Sequence, residues 1–170
     1  METAQQAVVF VTRQDLHRRR AQAVSEFERG NIERNSPPEK HAKRIKASEM
    51  YYGRMLPFLY SRCFGLLGVA LAWCIGLFRP VMRDLSENDM RNVVHKSCGL
   101  AAQTFMLAMA EADYDTCPLE GLDSRMVKRI LKLPRGAEIN MIVVCGIRKP
   151  GRGIWGERFR LPFEEVYRRI

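Results

Sequence analysis

The sequence lacks a CxxC pair, an apolar run of standard spanning length, an internal repeat and any low-complexity tract. Its five cysteines, Cys63, Cys74, Cys98, Cys117 and Cys145, are odd in number, widely spaced and mostly set among apolar neighbours. That excludes the usual zinc-site and secreted-disulfide patterns and predicts buried free thiols in a reducing cytoplasm. The start, METAQQAVVFVTRQ, has no basic stretch followed by an apolar h-region and a cleavage site, so no secretory leader is expected. The longest apolar run, residues 63–78 (CFGLLGVALAWCIGLF), falls short of the roughly 20 residues a spanning helix needs. RNA-binding and helix-turn-helix signatures are missing, and the basic residues are spread out without interleaved aromatics. Specific nucleic-acid binding is therefore not expected.

What is present fits one folded domain. The 170 residues are enough for a single core, and a 46% hydrophobic and 28% charged composition is that of a globular chain. A formal net charge of +9 points to an anionic partner: a phosphate-bearing cofactor, nucleic acid or an acidic membrane surface. Charge alone does not choose among them.

Residues 7–12 (AVVFVT) are short, apolar and β-branched, which predicts a buried strand. Residues 14–29 predict an amphipathic helix ended by Gly30, followed by a loop around Ser36-Pro37-Pro38 that runs into a basic, solvated helix. For residues 63–78 a buried or pocket-covering helix comes first, an interfacial membrane anchor second and a true span last. Trp73 and the flanking Arg62 and Arg79 keep the anchor open. Ser86 predicts the cap of a long helix that is apolar on nearly every face after Cys98, which suits a domain centre or a subunit interface. A turn and short extended piece follow at 114–121, then a helix over 123–133, a strong strand over 138–147 and a short terminal helix.

The order of segments from Ser97 to Pro162 is the most specific signal. It reads SCGLAAQTFMLAMAEADYDTCPLEG, then DSRMVKRILKLPRGAEINMIVVCGIRKPG, then GERFRLP. This order resembles the C-terminal half of the FMN-dependent nitroreductase family, and residues 7–13 resemble that family's preceding core strand. The resemblance implies an α+β fold, with a mixed sheet flanked by helices. It further implies one nitroreductase-like domain over residues 1–170, in which about 31–85 form a variable apolar lid or insertion. Family flavin sites lie between subunits, so a homodimer is implied as well.

The same resemblance assigns cofactor-binding roles. Pro118 and Leu119 would pack against the flavin ring, and the Glu120-Gly121 turn would lie beside it, where a backbone N–H tunes the ring without a side-chain acid. Taken without the family, Gly121 is simply a turn before the next helix. Arg158 and Arg160 alternate along an extended segment, so both guanidinium groups can reach one FMN phosphate; the plain alternative is a solvated basic loop. His95 and Cys117 do not make a convincing nucleophile pair, and Asp113, Asp115 and Glu120 do not make a metal site. The implied reaction uses FMN and NAD(P)H to reduce a small-molecule electron acceptor, a nitroaromatic or quinone, in the cytoplasm.

One departure stands against the match. Family members begin with an Arg-rich, Ser-containing segment that holds the flavin phosphate, and nothing before Ala7 supplies it. The fold is thus expected to be N-terminally incomplete. A rival expectation follows: a non-catalytic or membrane-associated remnant without flavin, touching the membrane through residues 63–78.

Overall fold

The β-branched stretch read as the strongest strand forms the centre of a small sheet. In this computed structural model, which describes residues 4, 6–61, 65–82, 84–149 and 159–169, three antiparallel strands are ordered β1-β3-β2. They are β1 (Gln6–Thr12), β2 (Asp115–Leu119) and β3 (Glu138–Gly146). Because β3 is paired on both sides, it holds the fully buried Val143 and the buried Cys145, with the fully buried Ala137 just before it. Val8 lies opposite Val143 and Phe10 opposite Met141, but Val11 pairs with Ile139. Asn140 is therefore an extra residue on β3, a bulge of the kind that re-aims a side chain out of the ladder.

Seven helices surround or extend from this sheet among the described residues: α1 (His17–Asn35), α2 (Pro38–Met50), α3 (Leu56–Leu59), α4 (Gly65–Gly76), α5 (Glu87–Glu111), α6 (Ser124–Ile130) and α7 (Phe163–Val166). The long helix α5 lies on the sheet, touching all three strands. Phe105 meets Phe10 edge to face at 5.8 Å, and Met90 and Ala102 are buried. Its start is fixed as the sequence suggests: the Ser86 hydroxyl accepts the Asp89 amide, and the Asp89 carboxylate accepts the Ser86 amide at 3.0 Å. Its end needs no glycine. Asp113 adopts a left-handed conformation (φ 62°), with the Tyr114 amide donating to the Met109 carbonyl and the Asp113 amide to that of Ala110.

Three expectations are corrected. Gly30 does not stop α1, which runs on to Asn35, and the supposed loop shrinks to Ser36 and Pro37. Side-chain bonds from Asn31 to Glu28 and from Arg34 to Asn31 bridge the glycine, whereas Pro37 and Pro38 lack the amide protons that would continue the helix. Helix α4 is not buried as a whole, since most of it is exposed, but its one packed side, with Ala72, covers a small cavity, so of the two forms expected for it only the pocket-covering one fits. The thiols are not uniformly buried either, since Cys145 is covered but Cys74 and Cys117 are exposed; Cys63 lies outside the described residues.

Between α2 and α3, Tyr51–Met55 form a single π-helical turn. Such turns widen a helix locally and recur at functional sites.

Candidate functional site

Pro118 and Leu119 end the edge strand β2, paired with Val143 and Ile142 of β3. An edge strand is where a proline, having no N–H for the ladder, can be accommodated. The chain then turns at Gly121, where the Leu122 amide donates to the Glu120 carbonyl at 2.8 Å. Two residues later the Asp123 carboxylate caps α6, accepting the amides of Arg125 (2.9 Å) and Met126 (3.1 Å). Residues 118–121 are thus anchored by the sheet on one side and by a capped helix on the other. At the far end of the strand, the Asp115 carboxylate accepts the Arg148 backbone amide at 3.3 Å, which ties the exit of β3 to the start of β2.

The space around Gly121 differs from what its turn suggested. A methyl group built there would meet nothing within 4 Å among the described residues, and the residue does not occupy the left-handed region. Neither backbone conformation nor internal packing demands glycine at this position.

Arg160 is exposed, and one of its guanidinium nitrogens donates to the neighbouring Phe159 carbonyl at 2.8 Å. No hydrogen bond or ion pair among the described residues ties it to 118–121. Its companion Arg158 lies outside the described residues. The structure therefore brings together Pro118, Leu119, Glu120 and Gly121, and among the described residues does not join Arg160 to them. His95 and Cys117 are likewise engaged separately, with the Cys117 thiol directed to the Pro118 carbonyl at 3.8 Å.

Sequence reasoning missed a polar network between α5 and β3. The Glu138 carboxylate accepts Arg91 Nε at 2.6 Å and lies 2.9 Å from His95 Nε2. The bulged Asn140 places its Nδ2 3.1 Å from both His95 Nδ1 and the His95 carbonyl. Since a carbonyl can only accept, Nδ2 is the donor here, which leaves Nδ1 as an acceptor and puts the ring proton on Nε2, facing Glu138. Partial burial alone would raise the Glu138 carboxyl, but the bonds from His95 and Arg91 outweigh it and hold the group below its usual value. No sequence pattern marks this network, because it depends on where the bulge falls.

A cleft of about 460 Å³ opens between the end of β1, α1 and α5. It is lined by Thr12, His17, Tyr52, Tyr60 and Cys98, and burial pushes the Cys98 thiol up. His17 Nδ1 is fixed on the Gln14 carbonyl at 2.9 Å, while its buried Nε2 has no partner among the described residues. Across the π-helical turn, a second cleft of about 620 Å³ includes Arg18, Tyr52, Arg54 and Phe58. Neither cleft is lined by residues 118–121.

Compared with known proteins, the sequence matches the model of the nitroreductase family over residues 3–147. The chain belongs to the nitroreductase family. Within it, the chain is 36% identical over 63 residues to MhqN of Bacillus subtilis (strain 168), a protein named for NAD(P)H nitroreductase activity. It is 35% identical over 79 residues to the DrgA protein of Synechocystis sp. (strain ATCC 27184 / PCC 6803 / Kazusa). Those matches take in 37% and 45% of this chain but only 31% and 38% of the two relatives. Among solved structures, ydfN of Bacillus subtilis, a nitroreductase by name, superposes with a TM-score of 0.64 at 18% identity, covering 98% of this chain and 64% of that one. A nitroreductase family protein from Streptococcus pneumoniae TIGR4 gives 0.60 at 17% identity, with 98% and 65% covered. At such identities the likeness establishes the nitroreductase α+β fold. This family member spans slightly under two thirds of each solved neighbour.

Proposed function

We propose that the chain forms part of an FMN-dependent oxidoreductase that uses NAD(P)H to reduce nitroaromatic, quinone or similar acceptors. The observation that carries this reading is the family match over residues 3–147, which takes in the 118–121 segment. In support of it, a Cβ at Gly121 would meet nothing within 4 Å among the described residues, which would leave room for a ring beside this turn. When bound, FMN would supply the redox chemistry, taking a hydride equivalent from NAD(P)H and passing it to the acceptor. Pro118 and Leu119 would present an apolar edge to the ring, and the Glu120-Gly121 backbone would approach it without an intervening side chain. Arg158 and Arg160 would hold the phosphate.

A homodimer completes the proposal, with α5 as the shared element, because its outward side exposes Leu100 and Leu107. Residues 31–85 would act as a variable lid or insertion within one domain, and the site of action would be the cytoplasm. The test is a Gly121→Val variant in FMN titrations. Since the new Cβ meets nothing within 4 Å among the described residues, thermal stability should hold while FMN affinity falls about tenfold or more, the loss of one well-made contact. Failure of the wild-type chain to bind FMN, or equal affinity of the variant, overturns the assignment.

A further inference from the structure

We propose that the outward ridge of α4 docks on the surface of an anionic lipid bilayer. The helix, GLLGVALAWCIG, carries no charge. Its inner side, with Gly68, Ala72 and Ile75, faces Phe58 and Leu59 across a small cavity of about 180 Å³. Its outer side and the turn after it are left in the open: Leu66 is 90% exposed, Leu67 65%, Leu77 74% and Phe78 89%, with Trp73 beside them at 60%. Scattered apolar residues are ordinary on a protein surface, but a contiguous ridge of this kind marks an interaction site.

Geometry and charge select the occupant. At 1.5 Å per residue the helix is about 18 Å long, well short of the ~30 Å hydrocarbon core. No helix among the described residues is long and apolar enough to cross a membrane. A short, uncharged helix with an aromatic residue and a basic exit suits the bilayer interface, lying in its plane. Arg79 follows the ridge directly. Arg18 and Arg54 line the neighbouring cleft, which shares Phe58 and Ser61 with the seat of α4. The acidic member of that cleft, Glu49, is engaged by Arg29. Glu87 lines the inner cavity of α4, not its exposed ridge, and the exposed Arg79 at the end of the ridge is a cation that anionic headgroups would neutralise.

The experiment uses the full chain carrying Trp155→Phe, so that Trp73 is the one tryptophan left of two. It is mixed with vesicles of phosphatidylcholine alone, or of phosphatidylcholine with roughly a third phosphatidylglycerol. The protein should float with the anionic vesicles, with a blue shift of Trp73 emission, and higher salt should weaken the binding. Leu66→Ser/Leu67→Ser/Phe78→Ser should lower binding about a hundredfold or more without moving the unfolding transition, because these side chains are exposed in the free chain. Arg54→Gln/Arg79→Gln, which leaves the ridge intact, should lower it on the order of tenfold. Absence of flotation, or equal flotation of the serine variant, overturns the proposal. So does a wild-type dimer in sedimentation that the serine substitutions convert to monomer without any vesicle binding, since the ridge then belongs to a subunit interface.

Discussion

Replacing Glu138 by glutamine tests whether the α5–β3 network holds the long helix on the sheet. Its carboxylate accepts Arg91 at 2.6 Å and His95 at 2.9 Å. The Glu138 and His95 side chains are each 24% exposed, so their bond is worth about 1–1.5 kcal/mol; the Arg91 guanidinium is 51% exposed, and solvent reduces its share to about 0.5–1 kcal/mol. Glutamine keeps one acceptor oxygen and presents an amide to the other donor, so the net loss is roughly 1–2 kcal/mol, or about 2–8 °C in Tm for a chain of this size. The pH dependence has a definite sign. A carboxyl held below its unfolded value contributes stability that is fully present above about pH 4.3 and is lost as pH falls through the lower folded value. Urea denaturation of both proteins from about pH 7 to pH 3 should therefore show a gap that is constant at neutral pH and closes in acid. A gap under about 0.5 kcal/mol at pH 7, or one that persists unchanged into acid, would falsify the argument.

Three further outcomes follow from single positions. Gly136→Ala should destabilise the chain by about 1–3 kcal/mol in chemical denaturation, because the new Cβ would lie 2.4 Å from Asp15 Cβ; an unchanged midpoint would show that the Asp15 loop yields freely. Arg158→Ala/Arg160→Ala should weaken FMN binding by roughly 1.5–3 kcal/mol per lost phosphate contact while riboflavin binding changes far less, and equal losses would remove the phosphate assignment. Thiol titration of the native chain should label Cys74 and Cys117 rapidly, Cys98 slowly because burial keeps its thiol protonated, and Cys145 only on unfolding; fast labelling of Cys145 would contradict its burial in β3.

The parts of the fold legible in the sequence are those fixed by local chemistry. Short apolar, β-branched runs located β1 and β3, and Ser86 marked the start of α5 because its cap satisfies an amide within three residues of itself; the helix read over 123–133 starts at Ser124, capped by Asp123 in the same way. Gly30 misled for a definable reason. A glycine inside a helix costs only about 1 kcal/mol relative to alanine, and the bonds among Glu28, Asn31 and Arg34 accompany the helix through it. The bulge at Asn140 leaves no trace in the run EINMIVV, since an extra residue is defined only against the register of β1. The His95 network that depends on it was invisible for the same reason. Composition likewise identified α4 as apolar but could not say which side would be covered, because that depends on how α3 is placed.

Gly121 and Gly136 show where reading one residue at a time runs out. In the sequence both are glycines in turns beside a helix, and the same argument about tight turns applies to each. In the structure, a side chain at Gly136 would strike Asp15, so the fold itself requires glycine there. A Cβ at Gly121 would meet nothing within 4 Å among the described residues, so a small side chain there should leave the fold's stability unchanged. The two substitutions should accordingly separate, alanine at 136 affecting stability and valine at 121 affecting only binding. That separation distinguishes a glycine kept for folding from one that leaves room for a ligand, and it makes the flavin assignment testable without relying on family resemblance.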